Sequence, residues 1–198
     1  YSITTGTDNV IFGSNAGAAM TTGYSNVLLG KSAGTAMVGN HNNIAIGHGA
    51  MDAATDTEHY NVAIGNGALG AEDSSADYCV AVGHHALTLQ NANVKNTAIG
   101  GLAGDAINSG TENTLVGYMA GSDITSNSSN TCVGHMAMVN GTGNYNTVIG
   151  SKAGSSQQNE TATQMTGNSN TLLGYAAGYD LTDGPGNTLV GHGAGSSM

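Results

Sequence analysis

The residues with most to offer chemically stand directly after a recurring glycine. His48, His84, His135 and His192 occupy that place, and Tyr118 and Tyr175 share it. Imidazoles can ligate a metal or carry protons near neutral pH. An aromatic and imidazole stripe can also contact a glycan. The histidines fall in non-adjacent repeats, so one chain offers no compact histidine cluster, and His84 and His85 point in different directions. Plain corner residues on the surface are therefore expected, with no metal and no cofactor. If binding occurs, Tyr118, His135, Tyr175 and His192 are the exposed turn residues expected to carry it. Asp180, Thr182 and Asp183, followed by Gly184, hint at a calcium loop. The ligand number and closing glutamate of an EF-hand are absent, so a polar turn is expected. No nucleophile elbow, phosphate loop or spaced pair of carboxylates occurs, and no enzyme activity is expected.

A single repeat positions all of these side chains. The pivotal glycines are Gly13, Gly30, Gly47, Gly65, Gly83, Gly100, Gly117, Gly134, Gly150, Gly174 and Gly191, at spacings of 17, 17, 18, 18, 17, 17, 17, 16, 24 and 17 residues. Four residues before each stands asparagine, except where Cys79 breaks the column. Three residues after every one stands alanine, from Ala16 to Ala194. The residue just before the glycine is always large and apolar: Phe12, Leu29, Ile46, Ile64, Val82, Ile99, Val116, Val133, Ile149, Leu173, Val190. Runs of four or five residues rich in β-branched types, bounded by Asn and Gly, read as strands. The glycine suits a corner that needs positive φ or close backbone approach, and the alanine a tight interior. A further apolar site, seven residues past the glycine, recurs at Met20, Met37, Ala54, Ile107, Ile124 and Leu181.

Like residues recurring at such a period stack most simply as parallel strands. The expected fold is all-β, a parallel β-solenoid of about eleven coils forming one domain over 1–198, with an insertion loop near 155–164. At roughly 4.8 Å per coil the rod is about 50 Å long. Asn61, Asn96, Asn113, Asn130 and Asn146 are expected to form a side-chain ladder, each amide bonding the coils on either side.

Only 8% of the 198 residues are charged, with one phenylalanine and no tryptophan, so a conventional globular core is hard to build. A net charge of −10 argues against nucleic acid and anionic lipid as partners. It fits an extracellular protein on a cell or virion surface. No apolar stretch reaches membrane-spanning length. Cys79 and Cys132 lie three coils apart, about 14 Å at the strand spacing, beyond disulfide reach. Two buried thiols are expected. The last repeat ends without a cap, so a piece cut from a longer fibre is expected, ahead of ends that meet neighbouring proteins.

The second and third strand positions are apolar in every repeat, although neighbouring strand residues face opposite ways. One face fills the solenoid and the other needs cover. Leu28, Leu115, Leu172 and Leu189 argue for lateral self-association, as a homotrimer around the solenoid axis. The first strand position is Val or Ile through Val80 and threonine from Thr97 to Thr188. That threonine column raises ice binding as an alternative, set against threonine as a β-branched substitute for valine.

The pattern Asn-Val-Ala-Ile-Gly-x-x-Ala, as at Asn61 to Ala68, resembles the head repeats of trimeric autotransporter adhesins and the related repeats of bacteriophage tail fibres. The likeness runs from Asn9 to Gly195. It implies a left-handed parallel β-roll with three chains side by side, serving attachment to a host or surface through a glycan or protein receptor. A purely structural fibre shaft is the other function it allows.

Overall fold

The computed structural model describes residues 3–55, 58–71, 77–91, 95–156 and 165–196. Most of the expected insertion, 157–164, lies outside them. Among the described residues eleven strands run from β1 (Val10–Phe12) to β11 (Thr188–Val190) and pair in parallel, each with the next, in one sheet. The chain is thus an all-β parallel β-solenoid, and no helix occurs among the described residues.

Register is strict. Thr97 pairs with Thr114, Ala98 with Leu115 and Ile99 with Val116, and the same phase holds along the sheet. The alanines line up in a file too: the residue after one coil's alanine donates its N–H to the next coil's alanine carbonyl, as from Gly104 to Ala120 at 3.0 Å.

Strands are three residues long instead of four or five, because left-handed backbone bounds them at both ends. Glu112, before Asn113, has φ 60°, and Gly117, after Val116, has φ 139°. A side chain at Gly117 would be doubly excluded, since its Cβ would lie 2.3 Å from the carbonyl oxygen of Gly134 in the next coil. The pivotal glycine answers both demands, positive φ and close approach.

The core sits in the thin space behind the sheet. The middle strand residues Leu28, Ala45, Ala63, Ala81, Ala98, Leu115, Cys132, Val148 and Leu172 are wholly buried, as are all the alanines three past the glycine from Ala16 to Ala177. The opposite wall is supplied by Met20, Met37, Ala54, Ile107, Ile124 and Leu181. Leu28, Leu115 and Leu172 therefore point inward, and the expectation that they make the outer apolar face is corrected. The pleat turns the first and third strand residues outward instead.

Candidate functional site

The asparagine column is the most heavily bonded polar feature. Asn113 Oδ1 accepts from the backbone N–H of Asn130 at 3.0 Å, and its Nδ2 donates to the carbonyl of Asn127 at 2.9 Å and to Asn96 Oδ1 at 3.2 Å. The amide oxygen thus clamps the following coil's backbone, and Asn113 and Asn130 also reach back to the preceding amide. Asn61 Oδ1 likewise accepts from Cys79 N–H, Asn96 Oδ1 from Asn113 N–H, Asn130 Oδ1 from Asn146 N–H and Asn146 Oδ1 from Asn170 N–H. All five of these asparagines are buried, where unpaired amides would be costly. These residues hold the scaffold and face no solvent.

At coil 5 the sequence substitutes both members of a pair. Cys79 replaces the asparagine, and Gln90 replaces the apolar residue seven past the glycine. Gln90 is fully buried and reaches into the gap, donating to Cys79 Sγ at 2.9 Å and accepting from Asn96 Nδ2 at 3.0 Å. Cys79 and Cys132 are both buried thiols outside any disulfide. Burial pushes the Cys132 thiol up to about 12, so it stays protonated at neutral pH.

The corner after the pivotal glycine presents the expected aromatic stripe, grouped in pairs. Tyr118 stacks on His135 with centroids 5.7 Å apart, and Tyr175 on His192 at 5.1 Å, with interplanar angles of 18° and 17°. Both tyrosines are about half exposed. Ser151 separates the two pairs in the column. His84 meets its neighbour His85, edge to face at 4.2 Å, and His48 lies 3.2 Å from the Asn66 amide. Offset rings standing free of the wall suit stacking against a sugar face or a flat side chain.

Sequence reading missed a second ridge, on the residues just before the asparagine column. Tyr24, His41, His59, Tyr60 and Tyr78 form a continuous ring series, with Tyr60 and Tyr78 parallel at 5.1 Å. His41 Nδ1 and His59 Nδ1 are 2.5 Å apart, and Asp77 Oδ1 accepts from the His59 N–H at 2.7 Å. Burial, then His41, pulls the His59 pKa below the usual imidazole value, while Asp77 and Glu58 act against the shift. The signal in the sequence was there, as aromatic residues one or two places before an asparagine in consecutive repeats.

The outward sheet face carries two columns, Val/Ile then Thr at the first strand position and large apolar residues at the third. Phe12, Ile64, Ile99, Ile149, Leu173 and Val190 are each more than a third exposed. Among the described residues no three His, Cys, Asp or Glu side chains form a group able to hold a metal ion. Asp180 takes the left-handed backbone at φ 65°, and Thr182 bonds its neighbour Asp183.

Fold and surface together define a class, the parallel β-solenoid with one apolar flank. No protein-family model, curated protein or solved structure matches the chain.

Proposed function

We propose that this chain is a rigid segment of a trimeric surface fibre, of the adhesin-head or tail-fibre kind, acting in attachment outside the cell. The single supporting observation is the outward apolar column, in which Ile99 is 41% and Leu173 45% exposed in one chain although coils cover them on both sides. A sheet apolar on both faces is normally covered on both, and a contiguous apolar strip of this kind marks an interface. Three chains with these columns turned toward a common axis would cover it. The stacked pairs Tyr118–His135 and Tyr175–His192 would then offer the receptor-facing groups, with no nucleic acid or membrane involved.

Light scattering on the isolated chain tests the reading. A trimer is expected, and Ile99→Glu with Leu173→Glu should yield monomers; a monomeric native chain would overturn it. Ice binding is favoured by a different observation, the in-register threonines from Thr97 to Thr188 on the same outward face as the apolar column. Thermal hysteresis that Thr114→Tyr abolishes would establish that reading and exclude a buried face. A purely structural shaft predicts a trimer whose Tyr118→Ala and Tyr175→Ala variants attach to cells no differently.

A further inference from the structure

Coils 3 and 4 differ from their neighbours on the wall beyond the corner. The position two past the pivotal glycine holds Leu102, Met119 and Met136 in coils 6 to 8, but Gly49 and Gly67 in coils 3 and 4. The position five past it holds Thr88, Val139 and Tyr179 in other coils, but Gly70 in coil 4. Removing three side chains from neighbouring places opens a depression of about 340 Å³ lined by His48, Asp52, Asn66, His85 and Thr88 over a glycine and Ala71 floor. A Cβ on Gly67 would lie 2.8 Å from the His85 ring, which packs directly on that glycine.

The hydrogen bonds within the depression fix what it can offer a ligand. Thr88 donates its hydroxyl proton to the Gly67 carbonyl at 3.3 Å, so the 3.2 Å contact between its oxygen and His85 Nδ1 requires the proton on Nδ1. That leaves His85 Nε2 as an acceptor. Asn66 Nδ2 donates to His48 Nδ1 at 3.2 Å, which leaves His48 Nε2–H as a donor and Asn66 Oδ1 as an acceptor. Asp52 adds a carboxylate, and partial burial raises its pKa against the pull of its own backbone N–H and His48.

Donors and acceptors therefore share one depression, with no lysine or arginine among its lining residues. Anions are disfavoured by Asp52 and by a net charge of −10. A metal ion lacks the three ligands it needs among the described residues. Hydroxyls that donate and accept together match the set, and the volume falls in the range of small-molecule clefts, about 300–1,000 Å³. We infer that the depression over Gly49, Gly67 and Gly70 binds one neutral sugar ring, its vicinal hydroxyls shared between Asp52, Asn66, His48 and His85. The inference rests on the attachment reading and adds to it a contact apart from the Tyr118 and Tyr175 corners.

Saturation-transfer NMR with methyl α-glucoside, methyl α-mannoside and methyl β-galactoside at tens of millimolar is the test. Transfer to at least one of them is expected from the native chain. Asp52→Asn should weaken binding about tenfold. Ala71→Leu, which copies Leu89 at the same place in the next coil, should fill the depression and abolish transfer. Urea unfolding confirms that both variants are folded. No transfer from the native chain, or equal transfer from both variants, overturns the inference. Light scattering on the same samples separates it from the fibre reading: a trimer without sugar contact removes only the sugar site, and a monomer that binds removes only the fibre.

Discussion

Coil 4 and coil 7 solve the same packing problem from opposite walls. In coil 7 the inward strand residue is Leu115, and the position four past the pivotal glycine is Gly121. A Cβ on Gly121 would come within 2.8 Å of Leu115 Cδ2 and of Ile124 Cδ1. In coil 4 the inward residue is Ala63 and the matching position is Leu69, fully buried despite a φ of 49°. Coil 3 pairs Ala45 with Met51, coil 5 Ala81 with Leu87 and coil 8 Cys132 with Met138, all fully buried. Leu28 faces Gly34, and Leu172 faces Gly178. In these coils a large residue on one wall meets a small one on the other, as close packing requires. Leucine and methionine tolerate the left-handed region because the alternative is a void. Coil 6 departs from the pairing, with Ala98 and Gly104, and there Leu87 and Leu115 of the adjoining coils crowd the space, at 3.1 and 2.6 Å from a Cβ on Gly104.

The sharpest way to break this comparison is to convert one kind of coil into the other. Leu115→Ala should cost about 3 kcal/mol in urea unfolding, as a buried leucine deletion does. Gly121→Leu alone should cost a similar amount by overpacking. Together they rebuild the coil 4 arrangement, and a coupling of at least about 2 kcal/mol in the double-mutant cycle is expected. Additive losses would show that the pairing across coils is coincidence.

A somewhat smaller effect is expected from the polar exchange at coil 5. Gln90→Met should cost about 1–3 kcal/mol, since it leaves Asn96 Nδ2 without its Gln90 partner and opens the ladder beside Cys79. Adding Cys79→Asn should recover most of that, by restoring the ordinary asparagine and apolar pair. Recovery no greater than for Cys79→Asn by itself would mean that the two substitutions are independent.

The smallest effect is a pH dependence, set by His59 in the aromatic ridge of the early coils and by Asp105 in coil 6. His59 has a folded pKa below its ordinary 6.5, so its contribution to stability is complete above that value and is lost as pH falls through the folded pKa. Asp105 behaves oppositely. Burial first, and then Asp123, raise its carboxyl above 3.8, so its contribution is present at low pH and lost as pH rises through the folded pKa. Asp105→Asn should therefore raise stability slightly at neutral pH, whereas His59→Gln should flatten the fall in mild acid. Unfolding curves from mildly acidic to neutral pH, with NMR titration of both groups, check the two slopes.

Much of the fold was legible because repetition writes each backbone demand many times. The glycine at Gly117, the alanine at Ala120 and the asparagine at Asn113 each recur with their reason attached, and the structure puts a corner, a narrow interior and a hydrogen-bonded clamp where they stand. The core pairing of Leu115 with Gly121 was present in the sequence too, but it concerns volumes across two walls, and a column read singly does not reveal it. The depression beside Asp52 was less visible still. Gly49, Gly67 and Gly70 look like ordinary solenoid glycines until three coils are laid side by side.

The sequence by itself determined the period, the parallel stacking and the alanine and asparagine columns, because in-register coils place like residues over like. Only the tertiary structure decided which strand face looks outward. Leu115 and Val116 are equally apolar as text, and a pleat sends one to the core and the other to the surface. It also decided which scattered polar groups meet, since His48, Asn66 and His85 are about 18 residues apart along the chain and one coil apart in space. Neighbourhood across coils is set by the rise of the solenoid, and no single repeat contains that distance.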